Sequence, residues 1–380
     1  MNGRRKLVHI ISSLKIGGAE SLLVDLLAHP QMQEFEHHVV YFHHGPNVTR
    51  LKNMKIPTYY VRGKWTRYGP TFFKRLKKLL TELKPDCLHT ALWMANFVGR
   101  LYGKSLGIPV VSVIHLGIDQ DGMVRNLLDH LTFSLTDQVI AVSNTVAHTL
   151  YERPRWMPSR RINVIPNGID VQALHRNAQK ARVSRTALKL EEHHIVIGSV
   201  GRFIPRKNYL LLLESFAEVC FAYPRTRLIL IGFGPQEYEL KQYAHQRGMS
   251  DRVIFILEQP ACGYYPLFDF FVLPSLQEGL SIALLEAMSF GLPCIVSHNS
   301  VDHEVIKSGQ NGLLIPSGDR PAMTKALHNF LRYPAMREQF ATQARTTVFE
   351  RFNIDRMAHS YKDVFEKAIL EQEEQLVQYQ

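Results

Sequence analysis

Short apolar runs alternate with longer amphipathic stretches from one end of the chain to the other. In the first half, residues 7–11, 38–41, 58–61, 87–89, 110–114, 139–142 and 162–165 read as strands. Between them, 19–28, 72–83 and 92–106 carry apolar residues at helical spacing. The second half repeats the plan with strands at 195–200, 228–231, 253–256, 270–273, 294–296 and 313–315. Strands alternating with helices predict an α/β protein with parallel sheets wound by right-handed crossovers. Two such sets predict two doubly wound domains, residues 1–168 and 169–352. The break falls in the polar, basic stretch 167–194, which follows Pro166-Asn167-Gly168. From Ala322 onward only helical signals remain, ending in the polar tail 371–380.

The length of 380 residues agrees with two cores rather than one. With 46% hydrophobic and 21% charged residues the chain has a globular composition, which excludes wholesale disorder. No apolar run reaches the length of a membrane span, and residues 1–11 lack the pattern of a signal peptide, so a cytosolic protein is expected. Cys87, Cys220, Cys262 and Cys294 are scattered and read as buried thiols, not as a zinc site or a disulfide framework. The net charge of +11 fits anionic lipid headgroups, nucleotide-linked substrates or nucleic acid. No helix-turn-helix, zinc-finger or aromatic RNA-binding signature accompanies it, so nucleic acid is not an expected partner.

The densest chemistry lies in residues 274–293, which place Glu278 and Glu286 eight positions apart with Gly279-Leu280-Ser281 between them. The pattern predicts a strand, a loop carrying Glu278, and a helix over 283–290 whose first turns carry Glu286. Free N–H groups at such a helix start favour phosphate, and the two acids could grip hydroxyls around it. Other candidates stand at strand ends, where open parallel sheets bind ligands. Gly17-Gly18-Ala19-Glu20 follows the first strand, His115 ends the strand 110–114, Gly201-Arg202 ends 195–200 with Arg206-Lys207 beyond it, and Gly232-Phe233-Gly234-Pro235 ends 228–231. These ends are expected to converge on one cleft.

In this order and spacing the pieces resemble a family 4 glycosyltransferase, a retaining enzyme of the GT-B fold with two Rossmann-like domains facing each other across a cleft. Besides the runs above, Ile140-Ala141-Val142-Ser143, Ile165-Pro166-Asn167-Gly168-Ile169-Asp170, Lys207-Asn208 and Glu286-Ala287-Met288 carry the likeness, over nearly the whole chain. The resemblance implies that Arg202 and Lys207 neutralise the donor diphosphate and that the Gly17-Gly18 loop approaches it closely. It implies that Glu286 binds the ribose hydroxyls, that Glu278 binds the donor sugar, and that amides of Gly279, Leu280 and Ser281 complete these contacts. His115 would lie near the donor sugar. A C-terminal helix over about 353–370 would cross back onto the first domain. One departure from the family pattern is Leu257, in Phe255-Ile256-Leu257-Glu258, where a glycine is usual; it alters the wall of the base pocket.

Plainer readings exist for several of these residues. Gly-Gly before a helix is also an ordinary tight turn, His115 could be a satisfied strand-end histidine, and surface Arg and Lys are common. Asp119-Gln120-Asp121 imitates a metal-binding Asp-x-Asp pair. With Arg202 and Lys207 supplying the charge, no metal and no cofactor are expected. In residues 62–78, Lys64, Arg67, Lys74, Arg75, Lys77 and Lys78 alternate with Trp65, Tyr68, Phe72 and Phe73. Phe72, Leu76, Leu79, Leu80 and Leu83 have core spacing, while the basic face could rest on an anionic membrane. The expectation is a cytoplasmic, metal-independent transferase, peripheral at the inner membrane face, moving a hexosyl unit from a UDP- or GDP-linked sugar to a glycan or lipid-linked acceptor. Surface polysaccharide or lipopolysaccharide biosynthesis is the implied setting. A GT-B nucleotide-sugar epimerase and a non-catalytic nucleotide-sugar-binding subunit are the alternatives.

Overall fold

A computed structural model of the protein describes residues 3–64, 66–115, 123–152, 161–298 and 301–378. The chain divides into two compact units, Met1–Gly168 with Ile354–Gln380, and Ile169–Asn353.

The first unit is built on strands β1 (Lys6–Ile11), β2 (Glu36–Tyr41), β3 (Thr58–Tyr60), β4 (Cys87–Ala91), β5 (Val110–Ile114), β6 (Gln138–Ala141) and β7 (Ile162–Val164). They form a parallel sheet of order β3-β2-β1-β4-β5-β6-β7. Strands β4 and β5 are buried at every position, as a parallel sheet covered on both faces requires. Phe72, Leu76 and Leu80 of helix Pro70–Leu83 and Ala95 and Val98 of helix Trp93–Leu106 pack with Val8, Ile10 and Val40. The helix Trp93–Leu106 stops at Gly107, whose φ of 66° is left-handed and suits a residue without a Cβ. The long helix Ile354–Gln378 also belongs to this unit, and its Tyr361 and Phe365 rings meet His89 edge-on.

Under that helix the sheet carries histidines in place of aliphatics. Leu7 pairs with His37 and His9 with His89 in the register, so all three rings share one face. His37 Nε2 lies 2.7 Å from the Met32 carbonyl oxygen, which can only accept, so the proton of His37 is on Nε2. Its Nδ1 then accepts from His9 Nε2 at 2.9 Å, and His9 Nδ1 accepts from His89 Nδ1 at 2.9 Å. One set of neutral tautomers satisfies all three contacts, and it leaves the buried Nε2 of His89 as an acceptor with no partner among the described residues. Burial enforces neutrality: it pushes His37 down to about 4, His89 down to about 3 and His9 well below its ordinary value.

The second unit is built on β8 (Ile195–Val200), β9 (Thr226–Gly232), β10 (Val253–Leu257), β11 (Phe270–Leu273), β12 (Cys294–His298) and β13 (Gly312–Pro316). This parallel sheet has the order β10-β9-β8-β11-β12-β13. Its core gathers Phe203, Leu212, Phe216, Phe270 and Phe330. In each sheet the chain runs outward in one direction, then returns to the other side of its first strand. The reversals fall between β1 and β4 and between β8 and β11, the places where such sheets bind ligands.

Two details differ from the sequence expectation. Inside the polar stretch 167–194 the structure has a helix, Val171–Lys180, begun by Asp170, whose carboxylate accepts the Ala173 N–H at 2.7 Å. Cap and packing, not apolar content, set this helix, since only Val171 and Ala178 of it are buried. Cys262, read as buried, is partly exposed on the short turn Ala261–Gly263 beyond β10; the other three cysteines are buried.

Candidate active site

The β8–β11 reversal assembles the cations and the acid that the sequence placed 71 residues apart. Beyond β8 the chain makes the tight turn Pro205–Lys207, then Asn208 at a left-handed φ of 53° redirects it into helix Tyr209–Val219. Beyond β11 it makes the loop 274–281. The Leu276 N–H donates to the Arg206 carbonyl at 2.8 Å, which clamps the two loops together. On that clamp Lys207 Nζ donates to Glu278 Oε2 at 2.5 Å, with the side chains 10% and 14% exposed. The pair is thus fixed within the protein yet open at one edge. Arg202 stands exposed between β8 and this turn, and no carboxylate among the described residues pairs with it. A free guanidinium beside a held ammonium is an arrangement that attracts a polyanion.

Glycines bring the neighbouring loops this close. A Cβ at Gly232 would run into the Gly201 carbonyl oxygen, and one at Gly234 into the Phe203 backbone. Leu257 lies next to Gly232 in the register, partly exposed at the end of β10. Glu258, which follows it, has a φ of 54°, the left-handed conformation that glycine adopts without strain.

Helix Ile282–Ser289 starts where the Glu278 loop ends. Ser281 caps it by accepting the Leu284 N–H at 3.4 Å, and Leu280 and Ser281 are buried while Gly279 is half-exposed. Glu286 lies one turn in, half-buried, and receives the Tyr265 hydroxyl proton in a 2.7 Å hydrogen bond. Tyr265 is fully buried and stacked on Phe290, so it can hold the carboxylate in one orientation. Burial and the Glu286 charge push its ionisation well up, and it stays a donor at every working pH. The sequence reading missed Tyr265, which stands 21 residues from its partner with no local pattern to mark it.

The first unit presents its own strand ends. Gly17 is extended (φ −175°) and opens helix Gly18–Ala28 without any side-chain cap, and Gly18 is exposed. His115, half-buried, follows β5, and burial pushes its pKa down to about 4, so it is neutral at pH 7. At the β1–β4 reversal, Ser12 beyond β1 accepts the Ala95 N–H at 3.2 Å. Beside it Leu92 holds a φ of 72°, a strained value for a leucine and a second feature that the sequence does not reveal.

Arg202, Lys207, Leu257, Glu278, Gly279, Leu280, Ser281 and Glu286 therefore all stand at or beyond the carboxyl ends of β8, β10 and β11. Gly17, Gly18 and His115 stand at those of β1 and β5. Glu191, His193 and His194 bring three possible metal-ligand atoms within 4.8 Å of one another, but at the opposite end of β8 from Arg202. Asp119, Asp121 and Trp65 lie outside the described residues. In helix Pro70–Leu83 the apolar face is buried, and Lys74, Arg75, Lys77 and Lys78 are exposed. Among the described residues no helix is long and apolar enough to cross a membrane.

Two parallel doubly wound units with this strand order define the GT-B fold. The structure superposes on the crystal structure of Anabaena Alr3699/HepE in complex with UDP-glucose with a TM-score of 0.83, at 21% identity, covering 95% of this chain and 99% of that one. Residues 16–173 match the family model described as Glycosyltransferase Family 4, and residues 181–347 the model described as Glycosyl transferases group 1. Together the two span well over half of the chain. An Escherichia coli relative, UDP-Gal:alpha-D-GlcNAc-diphosphoundecaprenol alpha-1,3-galactosyltransferase, is 27% identical over 303 residues, 76% of this chain and 77% of its own. The N-acetyl-alpha-D-glucosaminyl L-malate synthase of Bacillus anthracis is 25% identical over 293 residues, 74% of each. The chain belongs to the family 4 glycosyltransferases.

Proposed function

We propose that this glycosyltransferase moves a hexosyl unit from a nucleotide diphosphate sugar to a hydroxyl of a glycan or lipid-linked acceptor, with retention of configuration and without a metal. The observation that carries the reading is the Lys207–Glu278 clasp beside the exposed Arg202. As the bond from the sugar C1 to the diphosphate oxygen breaks, negative charge collects on the phosphate, where Arg202 and Lys207 offset it. The acceptor oxygen bonds to C1 on the face the phosphate leaves, and its proton passes to the departing phosphate oxygen. Glu278, aligned by Lys207, accepts hydrogen bonds from the donor sugar, and Glu286, aligned by Tyr265, accepts them from the ribose. Amides of Gly279, Leu280 and Ser281 meet the donor's phosphate and sugar, and Leu257 walls the base. In the same reading Gly17 and Gly18 approach the diphosphate, and neutral His115 orients a hydroxyl of the donor sugar.

A UDP-linked donor is favoured over a GDP-linked one. The Escherichia coli relative is named for UDP-Gal, and the Anabaena neighbour holds UDP-glucose. The former's diphosphoundecaprenol-linked acceptor supports a lipid-linked acceptor here, in surface polysaccharide or lipopolysaccharide biosynthesis on the cytoplasmic side of a membrane. The exposed cations of residues 62–78 would then rest on anionic headgroups. The test is nucleotide release from UDP-, GDP- and ADP-sugars, with and without EDTA. Slow release from one donor that survives EDTA and collapses in Glu278→Ala and Lys207→Ala is the expected result. Release abolished by EDTA, or unchanged in both variants, would refute the reading.

A further inference from the structure

Tyr209 carries a hydroxyl that packing does not explain. It is the first residue of helix Tyr209–Val219 and 1% exposed, and its ring meets Phe203 edge-on at 5.1 Å. A phenylalanine would fill that space equally well. The hydroxyl has no hydrogen-bond partner among the described residues. Ser199 Oγ, close enough to act on it, donates its own proton to the Val272 carbonyl at 2.6 Å and stands out of hydrogen-bond geometry with the phenol. Buried tyrosines usually find a partner, because an unmet hydroxyl withdrawn from water costs free energy.

The orphan hydroxyl lies at the Lys207–Glu278 clasp. The position that a Cβ would take on Gly201 is 2.8 Å from Tyr209 Oη, 3.5 Å from Lys207 Cε and 3.6 Å from Lys207 Nζ. The phenol is therefore next to the ammonium that grips Glu278, and no side chain on Gly201 stands in the way. The Glu278 charge reaches it and, with burial, keeps it protonated. Tyr209 is thus a donor without an acceptor, beside a carboxylate whose one hydrogen-bond partner among the described residues is Lys207.

A bound diphosphate would upset that arrangement. An ammonium that turns towards phosphate leaves a carboxylate only 14% exposed without its donor. A partly buried carboxylate in that state needs a replacement proton donor, and hydrogen bonds to ionised groups are the stronger kind.

We propose that Tyr209 is a positioning residue that works through Glu278. When Lys207 turns to the donor diphosphate, the Tyr209 hydroxyl takes its place as donor to the Glu278 carboxylate and keeps it aimed at the donor sugar. The proposal rests on the reading of Lys207 as a partner of the diphosphate, and the two can fail separately.

The test has a stability arm that needs no donor and a kinetic arm that does. Tyr209→Phe removes only the oxygen. In the wild-type background it should leave the melting temperature unchanged or raise it, since the hydroxyl is unpaired there. Lys207→Met imitates the ammonium turned away. In that background the same change should lower the melting temperature by about 2–4 °C, the scale of one lost hydrogen bond in a unit of this size. Adding Glu278→Ala should make it neutral again. With a donor that the wild type cleaves, Tyr209→Phe should lower kcat by about tenfold or more and leave KM and UDP affinity within about twofold. It should cost nothing further in the residual rate of Glu278→Ala. Equal loss of stability in the wild-type and Lys207→Met backgrounds, or no loss in either, overturns the exchange. So does an unchanged kcat, or a fall in kcat that multiplies with that of Glu278→Ala. A melting shift confined to the Lys207→Met background, with no donor cleaved by the wild type, leaves the Tyr209–Glu278 contact standing and refutes the donor reading instead.

Discussion

Lys207 and Glu278 meet at 2.5 Å across the reversal between β8 and β11, each with most of its side chain out of water. Neither is cheap to keep alone there, because a charge withdrawn from water without its partner loses solvation that nothing returns. Lys207→Met or Glu278→Gln should each lower unfolding stability by about 1–3 kcal/mol. The double variant should lose less than the sum, which denaturant titration of all four proteins would show. Each single change should also cut transfer by roughly a hundredfold or more, the scale of losing one charge-stabilising group.

Tyr265→Phe separates orientation from chemistry. The ring can stay stacked on Phe290 while Glu286 loses its 2.7 Å donor. The expected outcome is a several-fold rise in the donor KM with kcat nearly kept, and a stability loss of about 1 kcal/mol. A fall in kcat with KM unchanged would move Glu286 from ribose binding to the reacting centre.

Two glycine substitutions should behave oppositely. At Gly17 an added Cβ meets only the movable carboxylate of Glu20, and the extended backbone there accepts any residue. Gly17→Ala should therefore melt within a degree or two of the wild type yet lose at least tenfold in kcat/KM, if the loop closes on the diphosphate. Gly232→Ala drives its Cβ into the Gly201 carbonyl, a backbone atom, and should lose stability and activity together. Thermal melts paired with rates distinguish the two.

Acid should unfold the first unit through its histidines. His9, His37 and His89 are held neutral when folded but accept protons near pH 6.5 once unfolded. The unfolded state therefore binds more protons as pH falls below about 6.5. Stability is full above that value and drops, by roughly 1.4 kcal/mol per pH unit for each histidine, until the folded values near 4 and 3 are reached. Denaturant titrations between pH 7.5 and 5 should show this slope. His37→Gln should flatten it even if it lowers the plateau.

The strands were legible because parallel strands buried on both faces are short unbroken apolar runs, and their ends differ from the expected ones by a few residues at most. The strand-end position of Arg202, Lys207 and Glu278 followed from the same pattern. What escaped depended on partners far along the chain. His9, His37 and His89 sit in three different strands and only the register joins them. Tyr265 and Glu286 are joined by a turn of the fold, and Arg100 and Asp129 by the packing of two helices. Helix Met123–Thr132 is periodic in sequence, but no sequence rule says that its apolar side faces out. Helix Val171–Lys180 has almost no apolar face to read.

Binding of the free nucleotides UDP, GDP and ADP, followed by titration calorimetry in EDTA, tests the assignment of the donor site most directly. One nucleotide, expected to be UDP, should bind the wild type, bind at least tenfold more weakly to Lys207→Ala, and do the same with Arg202→Ala. Equal affinity in wild type and both variants, or no binding of any of the three, would contradict the placement of the donor diphosphate beside Lys207 and Arg202.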